Sequence, residues 1–441
     1  MIVTMTGDPD ISVNALIVGG GPAGLAPLVS ASRAGILDRI LSAGLAIVER
    51  GPAIGSGRIG SYAINSDTAA NTLVNCVIGN PYPFLAGLTE CPATVAVVAH
   101  GNGTVPLGLA GQLMASIGGA LHEYISAGGN PVLTGHEAIH TRQGEDGRWQ
   151  TLVRRTADGS HRTIESRFVI LATGGHQPDE CLESQRVGGV PLLPTYAAKL
   201  IQSDAALTAA GLTEIGRRLD AGPARRVAIV GSSSSSMACA NAVLRAPFGQ
   251  ELSAGAVTLL HRRPLRIFYP SAEAALADGY DEFGPDDICP LSGFVFRFAG
   301  FRLDSRELAM SARGIAGRAP EPRLRLHRLV PDIDPAALDI LDDASVIVAA
   351  LGYRPRALPV LNAAGDPVAL LAVQPGAQPL VDKQCNVLAA NGAVIDGLMG
   401  IGLAAGFASA EAIGGEPSFS GQTNGIWQWQ NEIGALIARR L

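Results

Sequence analysis

Two stretches of the chain share one pattern of apolar and small residues. Each begins with a short apolar run, ALIV at 15–18 and VAIV at 227–230, that ends in a turn of glycines or serines. A segment rich in alanine and other small residues follows each turn. Unbroken apolar runs of this length are typical of strands buried on both faces of a parallel sheet. The pattern therefore predicts two strand–turn–helix units, one near the start of the chain and one near its middle.

The first turn has glycines in the spacing Gly-x-Gly-x-x-Gly. The first glycine permits a tight turn, the second lets the backbone approach a pyrophosphate, and the third lets the helix pack on the strand. Free N–H groups at the start of the helix would bind phosphate. A second apolar run ends in Glu49, at about the spacing of an acid that binds a ribose hydroxyl. The predicted nucleotide contacts of this unit are Gly19, Gly21, Pro22, Ala23, Gly24, Glu49 and Arg50.

The second turn is a run of five serines, which by composition alone would suggest a linker. Its flanks, an apolar strand and an alanine-rich helix, favour a nucleotide turn in which Gly231, Ser233 and Ser236 take the three glycine positions. Serine is small, and its hydroxyl can donate to a phosphate or cap the helix. The next apolar run ends in two arginines, which suit the 2′-phosphate of NADPH but would also suit an exposed basic turn. The predicted contacts are Gly231, Ser233, Ser234, Ser235, Ser236, Arg262 and Arg263.

Two further apolar runs, 168–171 and 346–350, end in small residues and glycine. They are typical of strands that return the chain between two nucleotide domains, although an ordinary buried strand before a turn has the same pattern. A glycine-rich stretch near the C-terminus could let the backbone approach a flavin ring. These segments add Ala172, Thr173, Gly174, Gly352 and Gly402 to the predicted cofactor contacts.

Together these units predict an α/β protein with two Rossmann-like dinucleotide-binding domains, the NADPH domain inserted into the FAD domain. FAD fits the free ribose expected at the first turn, and NADPH fits the arginines after the second. We expect residues 1–188 and 346–441 to form the FAD-binding domain and residues 189–345 the NADPH-binding domain. Within the latter, the long segment 264–305 is expected to form a substrate-side lid or wall.

Composition narrows the class of protein. Of 441 residues, 47% are hydrophobic, and the formal net charge of −6 argues against a nucleic-acid partner. The six cysteines form no Cys-x-x-Cys pair, so neither a metal site nor a redox dithiol is expected. We find no pattern of a signal peptide and no apolar run of the ~18 residues that a membrane span needs. A soluble, cytoplasmic protein is expected.

The two turns, the ATG at 172–174, the arginines at 262–263 and the AALGY ending at 353 together resemble the flavin-dependent monooxygenases that use FAD and NADPH. These include flavin-containing, Baeyer–Villiger and N-hydroxylating monooxygenases. The phenylalanine-rich Baeyer–Villiger fingerprint is absent. YDEFGPDDI at 280–288 is similar to the Asn-Glu-x-Phe-x-Pro segment near the amine substrate of N-hydroxylases, but Tyr280 or Asp281 replaces the asparagine. The resemblance covers most of the chain.

The resemblance implies that NADPH reduces FAD and that the reduced flavin reacts with O2 to give a C4a-hydroperoxide. A small amine or another soft nucleophile would then take up one oxygen atom. Asn65, with Asn71 behind it, matches an asparagine near the reactive flavin carbon. Asp281 and Glu282 are expected to pair with a cationic substrate group, although all four residues are also typical of exposed turns. The resemblance also allows a homo-oligomer.

Two other classes of function stay open on the sequence. An FAD-dependent NAD(P)H oxidoreductase that passes electrons to a quinone or a protein would share both nucleotide domains. A regulatory flavoprotein that binds both nucleotides without turnover would share them too. The monooxygenase is the favoured interpretation, with N-hydroxylation as the favoured reaction.

Overall fold

The computed structural model describes residues 9–222, 224–373, 379–403, 405–407, 413–419 and 425–441. The strands are β1 Ile11–Val18, β2 Leu45–Glu49, β3 Val132–Thr134, β4 His136–Gln143, β5 Trp149–Arg155, β6 His161–Leu171, β7 Gly175–His176, β8 Arg186–Val187, β9 Val190–Pro191, β10 Leu200–Gln202, β11 Val227–Val230, β12 Val257–His261, β13 Leu324–Arg328, β14 Val346–Ala349, β15 Arg354–Pro355, β16 Val360–Leu361, β17 Asn386–Leu388 and β18 Val394–Gly400.

The helices are α1 Pro22–Arg33, α2 Leu37–Ala43, α3 Ala70–Leu73, α4 Pro83–Ala86, α5 Pro92–Val98, α6 Leu107–Ala127, α7 Glu180–Ser184, α8 Ser203–Ala206, α9 Ala209–Ala221, α10 Ser234–Arg245, α11 Ala272–Ala277, α12 Leu303–Arg313, α13 Pro335–Asp343, α14 Ile426–Gln428 and α15 Gly434–Ala438. A π-helical stretch, Trp429–Ile433, joins α14 to α15. No helix within the described residues is long and apolar enough to cross a membrane.

The larger sheet has the strand order β16-β4-β5-β6-β1-β2-β3, with β18 beside β6 and β17 beside β18. Strand β1 runs parallel to both of its neighbours, and Val18 lies opposite Val48 of β2 and Leu171 of β6. Leu171 in turn lies opposite Gly400 of β18. The carboxyl ends of these four strands therefore meet at one edge of the sheet, where open α/β sheets bind ligands.

The smaller sheet is entirely parallel, in the order β10-β14-β11-β12-β13. All of its strands lie in sequence between β6 and β16, so this sheet is inserted into the chain that builds the larger one. The predicted fold class, two Rossmann-like units with the second inserted into the first, is confirmed. The residue boundaries of the domains stay predictions.

Strands β1 and β11 are held in place by apolar burial. Leu16 and Ile17 of β1, like Ala228 and Ile229 of β11, have no exposed surface. Complete burial of one leucine or isoleucine side chain contributes about 1.5–3 kcal/mol. The short apolar runs read in the sequence are therefore the central strands from which both turns extend.

The segment 264–305 is a folded wall rather than a bare loop. It contains helix α11 and packs its aromatic side chains on the smaller sheet, where Tyr269, Tyr280 and Phe301 are almost completely buried. The Tyr280 hydroxyl donates to the Leu265 carbonyl at 3.1 Å. Other residues of the segment line a cavity, opposite residues 67–72 of the first unit.

Candidate active site

The first turn closes so tightly that only glycine fits its key positions. Gly19 has φ +103°, and a Cβ added there would lie 2.4 Å from the Ala172 carbonyl oxygen. At Gly24, in the first turn of α1, a Cβ would lie 1.8 Å from the Gly19 carbonyl oxygen. Helix α1 begins at Pro22, so its first N–H groups face the turn. The geometry fits the pyrophosphate site predicted here.

Glu49 lies at the carboxyl end of β2, beside this turn. Its two carboxylate oxygens accept hydrogen bonds from the Gly20 N–H at 2.7 Å and the Gly51 N–H at 2.6 Å. These bonds fix the carboxylate while leaving lone pairs for a ribose hydroxyl. The neighbouring Arg50 is exposed and points towards Glu137, with 3.9 Å between the charged groups. Its position offers no support for the predicted contact of the Arg50 side chain with the cofactor.

The strand-end residues predicted to contact the cofactor come together around the same turn. The Ala172 N–H donates to the Val18 carbonyl at 2.8 Å, which places the end of β6 against the end of β1. The Thr173 hydroxyl is already engaged, because it donates to the Arg356 carbonyl. Gly402 has φ +113°, and a Cβ there would lie 2.7 Å from that of Ala23 at the start of α1. The predicted FAD contacts thus form one continuous backbone surface.

The second turn repeats the first with different chemistry. Gly231 has φ +147°, and a Cβ there would meet the Ala350 carbonyl oxygen at 2.5 Å. Ser233 is the N-cap residue of α10, and its exposed side chain makes no capping hydrogen bond. Ser236 is completely buried, and its hydroxyl donates to the Ser233 carbonyl at 2.7 Å. The Ser236 hydroxyl therefore packs the turn internally, and its position offers no support for the predicted contact with a phosphate.

Basic residues follow the strands next to this turn, at the edge where a 2′-phosphate would lie. Arg262 and Arg263, which come directly after β12, are both exposed. His261 at the end of β12 lies opposite Arg328 at the end of β13. Arg262 donates to the Arg186 carbonyl. We did not predict Arg328, because nothing before the structure indicated that β13 lies next to β12.

Gly352 comes after β14 and has φ +84°. The next residue, Tyr353, donates its hydroxyl to Asp204 at 3.1 Å. Asp204 also accepts from Tyr62 at 2.5 Å and pairs with Arg58 at 2.8 Å. Asp204 of the inserted unit therefore connects Tyr62 and Arg58 of the first unit with Tyr353, which follows β14.

A cavity of about 700 Å³ lies between the two units. Its walls come from residues 67–72 of the first unit, from Ser234 and residues 268–307 of the inserted one, and from the C-terminal residues 425–428. Arginines and aromatic side chains dominate the lining, and Asp67 provides a carboxylate. This volume is in the range of small-molecule sites. Residues of segment 264–305 thus line this cavity, and the role of the segment on the substrate side stays a prediction.

No protein-family model matches the chain. The chain is 30% identical over 440 residues to the CMP-5'-(3-aminopropyl)phosphonate hydroxylase of Streptomyces rubellomurinus, which covers 97% of this chain and 96% of that protein. This identity extends over nearly the whole of both chains. The chain belongs to the same family of flavoprotein monooxygenases as this hydroxylase. The predicted family and enzyme class are confirmed, and FAD and NADPH stay the predicted cofactors.

Two solved structures have a fold similar to that of this monooxygenase. The ornithine N-hydroxylase of Kutzneria sp. 744, solved with reduced FAD, NADP+ and L-ornithine, is similar with a TM-score of 0.51 and 17% identity, covering 97% of this chain and 99% of that one. The ornithine hydroxylase of Pseudomonas aeruginosa gives a TM-score of 0.50 and 12% identity over the same shares. At these identities the likeness concerns the fold alone.

Asn65 lines a second, smaller cavity of about 240 Å³. This is the residue that we predicted to lie near the reactive flavin carbon. Its side-chain amide donates to Asp304 at 2.8 Å, and Asp304 also pairs with Arg245. Asn71 instead donates to Asn102 on the surface. The role of Asn65 at the flavin stays a prediction.

Asp281 and Glu282, the acids predicted to bind a substrate cation, do not line the large cavity. Glu282 pairs with Arg313, and this hydrogen-bonded guanidinium lowers the pKa of the Glu282 carboxyl below its usual value. Asp281 is exposed. Their positions give no support to the predicted contact with a substrate amine, because one acid is already paired and both lie outside the cavity.

The charged residues that do face the cavity were not among those predicted. Asp67 and Arg302 both line it, one from each nucleotide unit. Asp67 stands in a polar stretch, NSDTAANT, that is typical of a surface turn. Arg302 follows a phenylalanine-rich run in which arginines are frequent. Only the packing of the two units against each other brings these two side chains to one space.

Proposed function

We propose that this monooxygenase uses FAD, NADPH and O2 to hydroxylate the nitrogen of a primary amine on a small anionic molecule. The observation that carries the proposal is the extended identity to an enzyme named for a substrate with an aminopropyl group on a phosphonate. The large cavity supports it, since carboxylate and guanidinium groups face one space of about 700 Å³. Once the ammonium group has lost its proton, the amine nitrogen is the most nucleophilic atom of such a substrate.

The first turn has the features that FAD requires. We assign the pyrophosphate to the turn at Gly19 and Gly21 and the start of α1, and a ribose hydroxyl to Glu49. The positive φ of Gly19 and the absence of space for any side chain at Gly24 support this assignment. Gly402 and the end of β6 then border the flavin.

The second turn has the features that NADPH requires. We assign its pyrophosphate to the turn at Gly231 and Ser233 and the start of α10, and its 2′-phosphate to Arg262 and Arg263, with Arg328 beside them. Guanidinium groups bind phosphate through paired N–H donors. When bound, the two cofactors supply the hydride transfer and the activation of O2. The protein contributes binding, orientation and exclusion of water.

The test is a coupled assay on the purified FAD-loaded protein. We expect 3-aminopropylphosphonate or its CMP conjugate to accelerate NADPH oxidation and to give a product heavier by one oxygen atom, detected by mass spectrometry. The phosphonate without the amine should accelerate nothing. If all these amines give only hydrogen peroxide while a quinone is reduced rapidly, the oxidoreductase interpretation replaces this one.

A further inference from the structure

Three arginines line the large cavity, and two of them are neutralised by the protein. Arg297 pairs with Glu432 at 2.9 Å and also donates to the Ile413 carbonyl. Arg306 pairs with Asp278 at 3.4 Å and with Glu307 at 3.3 Å. Neither guanidinium has its charge to spare for a ligand.

Arg302 differs from both of these arginines. Its guanidinium donates to the Arg297 carbonyl at 2.7 Å and stacks on Phe268, with 3.7 Å to the ring centroid. Within the described residues, no carboxylate lies within 4.0 Å of it. Burial lowers the pKa of Arg302 to about 10, so the group is still charged at neutral pH. Arg302 lines the cavity and keeps further N–H donors, and the stacking fixes the plane of its guanidinium.

Asp67 is the corresponding anion on the opposite unit. Asp67 is an exposed residue that lines the cavity, and desolvation of its carboxylate by the surrounding protein raises its pKa to about 6. The only hydrogen bond to its carboxylate among the described residues is a long one, 3.4 Å from the Ser305 hydroxyl. A carboxylate has about four acceptor positions. Acceptor positions therefore remain for a ligand, and Asp67 borders both the large cavity and the smaller one.

We infer that the cavity binds a zwitterionic aminoalkyl oxyanion, with the amine at Asp67 and the oxyanion at Arg302. This assignment rests on the proposed function and adds the two groups that recognise the substrate. Asp67 and Arg302 line the same cavity and interact electrostatically, but neither a hydrogen bond nor an ion pair within 4.0 Å joins them, so each can still bind an opposite charge on a ligand. Arg302 is desolvated, and a desolvated charge without a close partner is costly, so a ligand oxyanion would offset that cost while the ligand amine pairs with Asp67.

The size of the cavity and the residues that line it also indicate what else the ligand carries besides its two charged groups. Phe298 and Trp427 line it beyond the two charged groups. A simple amino acid would fill only part of a space of about 700 Å³, whereas a conjugate that carries a flat ring could also lie against these aromatic side chains. The structure therefore favours an aminoalkyl oxyanion joined to an aromatic group over the free aminoalkyl oxyanion.

The test removes the charge of Arg302 and the phosphonate of the ligand, separately and together, and compares kcat/KM in the four combinations. In the wild-type protein we expect 3-aminopropylphosphonate to have a kcat/KM about 10- to 100-fold above that of propylamine, the range for one charged hydrogen bond. Arg302→Gln should abolish this preference, and Arg302→Lys should restore part of it. The matched control is Arg306→Gln, a neutralised arginine on the same wall, which should keep the preference.

Asp67→Asn tests the other end of the ligand. We expect it to weaken binding of 3-aminopropylphosphonate to the FAD-loaded protein about tenfold or more in calorimetry without NADPH, while propylphosphonate binds as it does to the wild type. Bound FAD and the KM for NADPH should not change in any of these variants, which shows that the fold is intact. If Arg302→Gln is poorly folded by this measure, Arg302→Lys and Asp67→Asn decide the matter.

The outcomes separate this assignment from the proposed function. Turnover with an unchanged phosphonate preference in the Arg302 variants would overturn the assignment and leave N-hydroxylation standing. Binding that depends on Asp67 and Arg302 without any hydroxylated product would overturn the function and leave the site standing. The CMP conjugate and 3-aminopropionate, as additional ligands, tell whether the oxyanion is an esterified phosphonate, a free one or a carboxylate.

Discussion

The two nucleotide turns have the same backbone outline but are specified in different ways. At the first turn, the limit is space, since a Cβ at Gly24 would lie 1.8 Å from a carbonyl oxygen. At the second turn, Ser236 occupies the corresponding position and ties its hydroxyl to the Ser233 carbonyl. The third glycine of the motif is thus a packing requirement, which a small residue meets at the second turn.

The charges around the two turns differ in the same way. The first turn has the Glu49 carboxylate, held by two backbone N–H groups. The second has Arg262, Arg263 and Arg328. The comparison extends to the large cavity, where the first unit contributes Asp67 and the inserted unit Arg302. At these places the first unit contributes carboxylates and the inserted unit chiefly guanidinium groups, although Glu307 of the inserted unit also lines the cavity, paired with Arg306 and Arg318.

The largest expected effect is that of Gly24→Ala. Because the added Cβ would collide with the backbone of Gly19, the variant must move α1 away from the turn, at a cost of about 3 kcal/mol or more. We expect the affinity for FAD to fall roughly a hundredfold or more, measured by the flavin absorbance of the purified protein. Ser236→Ala in the second turn should lose only about 1 kcal/mol of stability.

Gly119→Ala is the matched control, because Gly119 lies in α6 and a Cβ there would meet no atom within 4 Å. That variant should bind FAD normally and gain up to about 1 kcal/mol of stability. If Gly24→Ala binds as much FAD as the wild type, the lack of space for a side chain at Gly24 is not what makes glycine necessary in the first turn.

The next effect concerns the basic edge of the second turn. Replacing both Arg262 and Arg263 by Ala should raise the KM for NADPH about 10- to 100-fold and leave the KM for NADH nearly unchanged, since only NADPH has the 2′-phosphate. Arg328→Ala should act in the same direction with a smaller effect. Arg325→Ala, an exposed arginine in the middle of β13, serves as the control. Equal losses for both nucleotides would place the 2′-phosphate elsewhere.

A change of pH should affect binding to the carboxylate of the first unit and not binding to the guanidinium groups of the second. The carboxylate titrates near neutral pH, whereas the guanidinium groups stay charged. Asp67 has a pKa raised to about 6 by burial, with Ser305, Arg302 and Asp304 as the groups around it. Its carboxylate is ionised above pH 6 and is protonated as pH falls below it, so amine binding should be lost on the acid side. We expect the KM for 3-aminopropylphosphonate to rise about tenfold more between pH 7 and pH 5 in the wild type than in Asp67→Asn. A parallel rise in both proteins would show that another group is titrating.

The parts of the molecule that were predictable from the sequence are local in the chain. The glycines of both turns, Glu49 and Arg262 lie close in sequence to the strand that positions them, so spacing was enough to predict them. Asp67, Arg302 and Arg328 depend on how distant segments pack, and no periodic pattern marks them. The acids at 281–282 look like a substrate site in sequence, yet the fold directs Glu282 to Arg313. Local spacing therefore predicted where the two turns lie in the fold, whereas the contacts of these residues with cofactor and substrate stay predictions.

The smallest expected effect tests whether the serines of the second turn do more than replace glycine. The Ser233 side chain is exposed and makes no capping bond, and glycine at an N-cap costs only ~0.3 kcal/mol. Ser233→Gly should therefore change the dissociation constant for NADPH less than about twofold in a fluorescence titration. Ser253→Gly, in an exposed loop of the same unit, is the control. A loss of tenfold or more confined to Ser233→Gly would mean that its hydroxyl donates to the pyrophosphate, and the second turn would then hold its nucleotide with side chains where the first uses backbone alone.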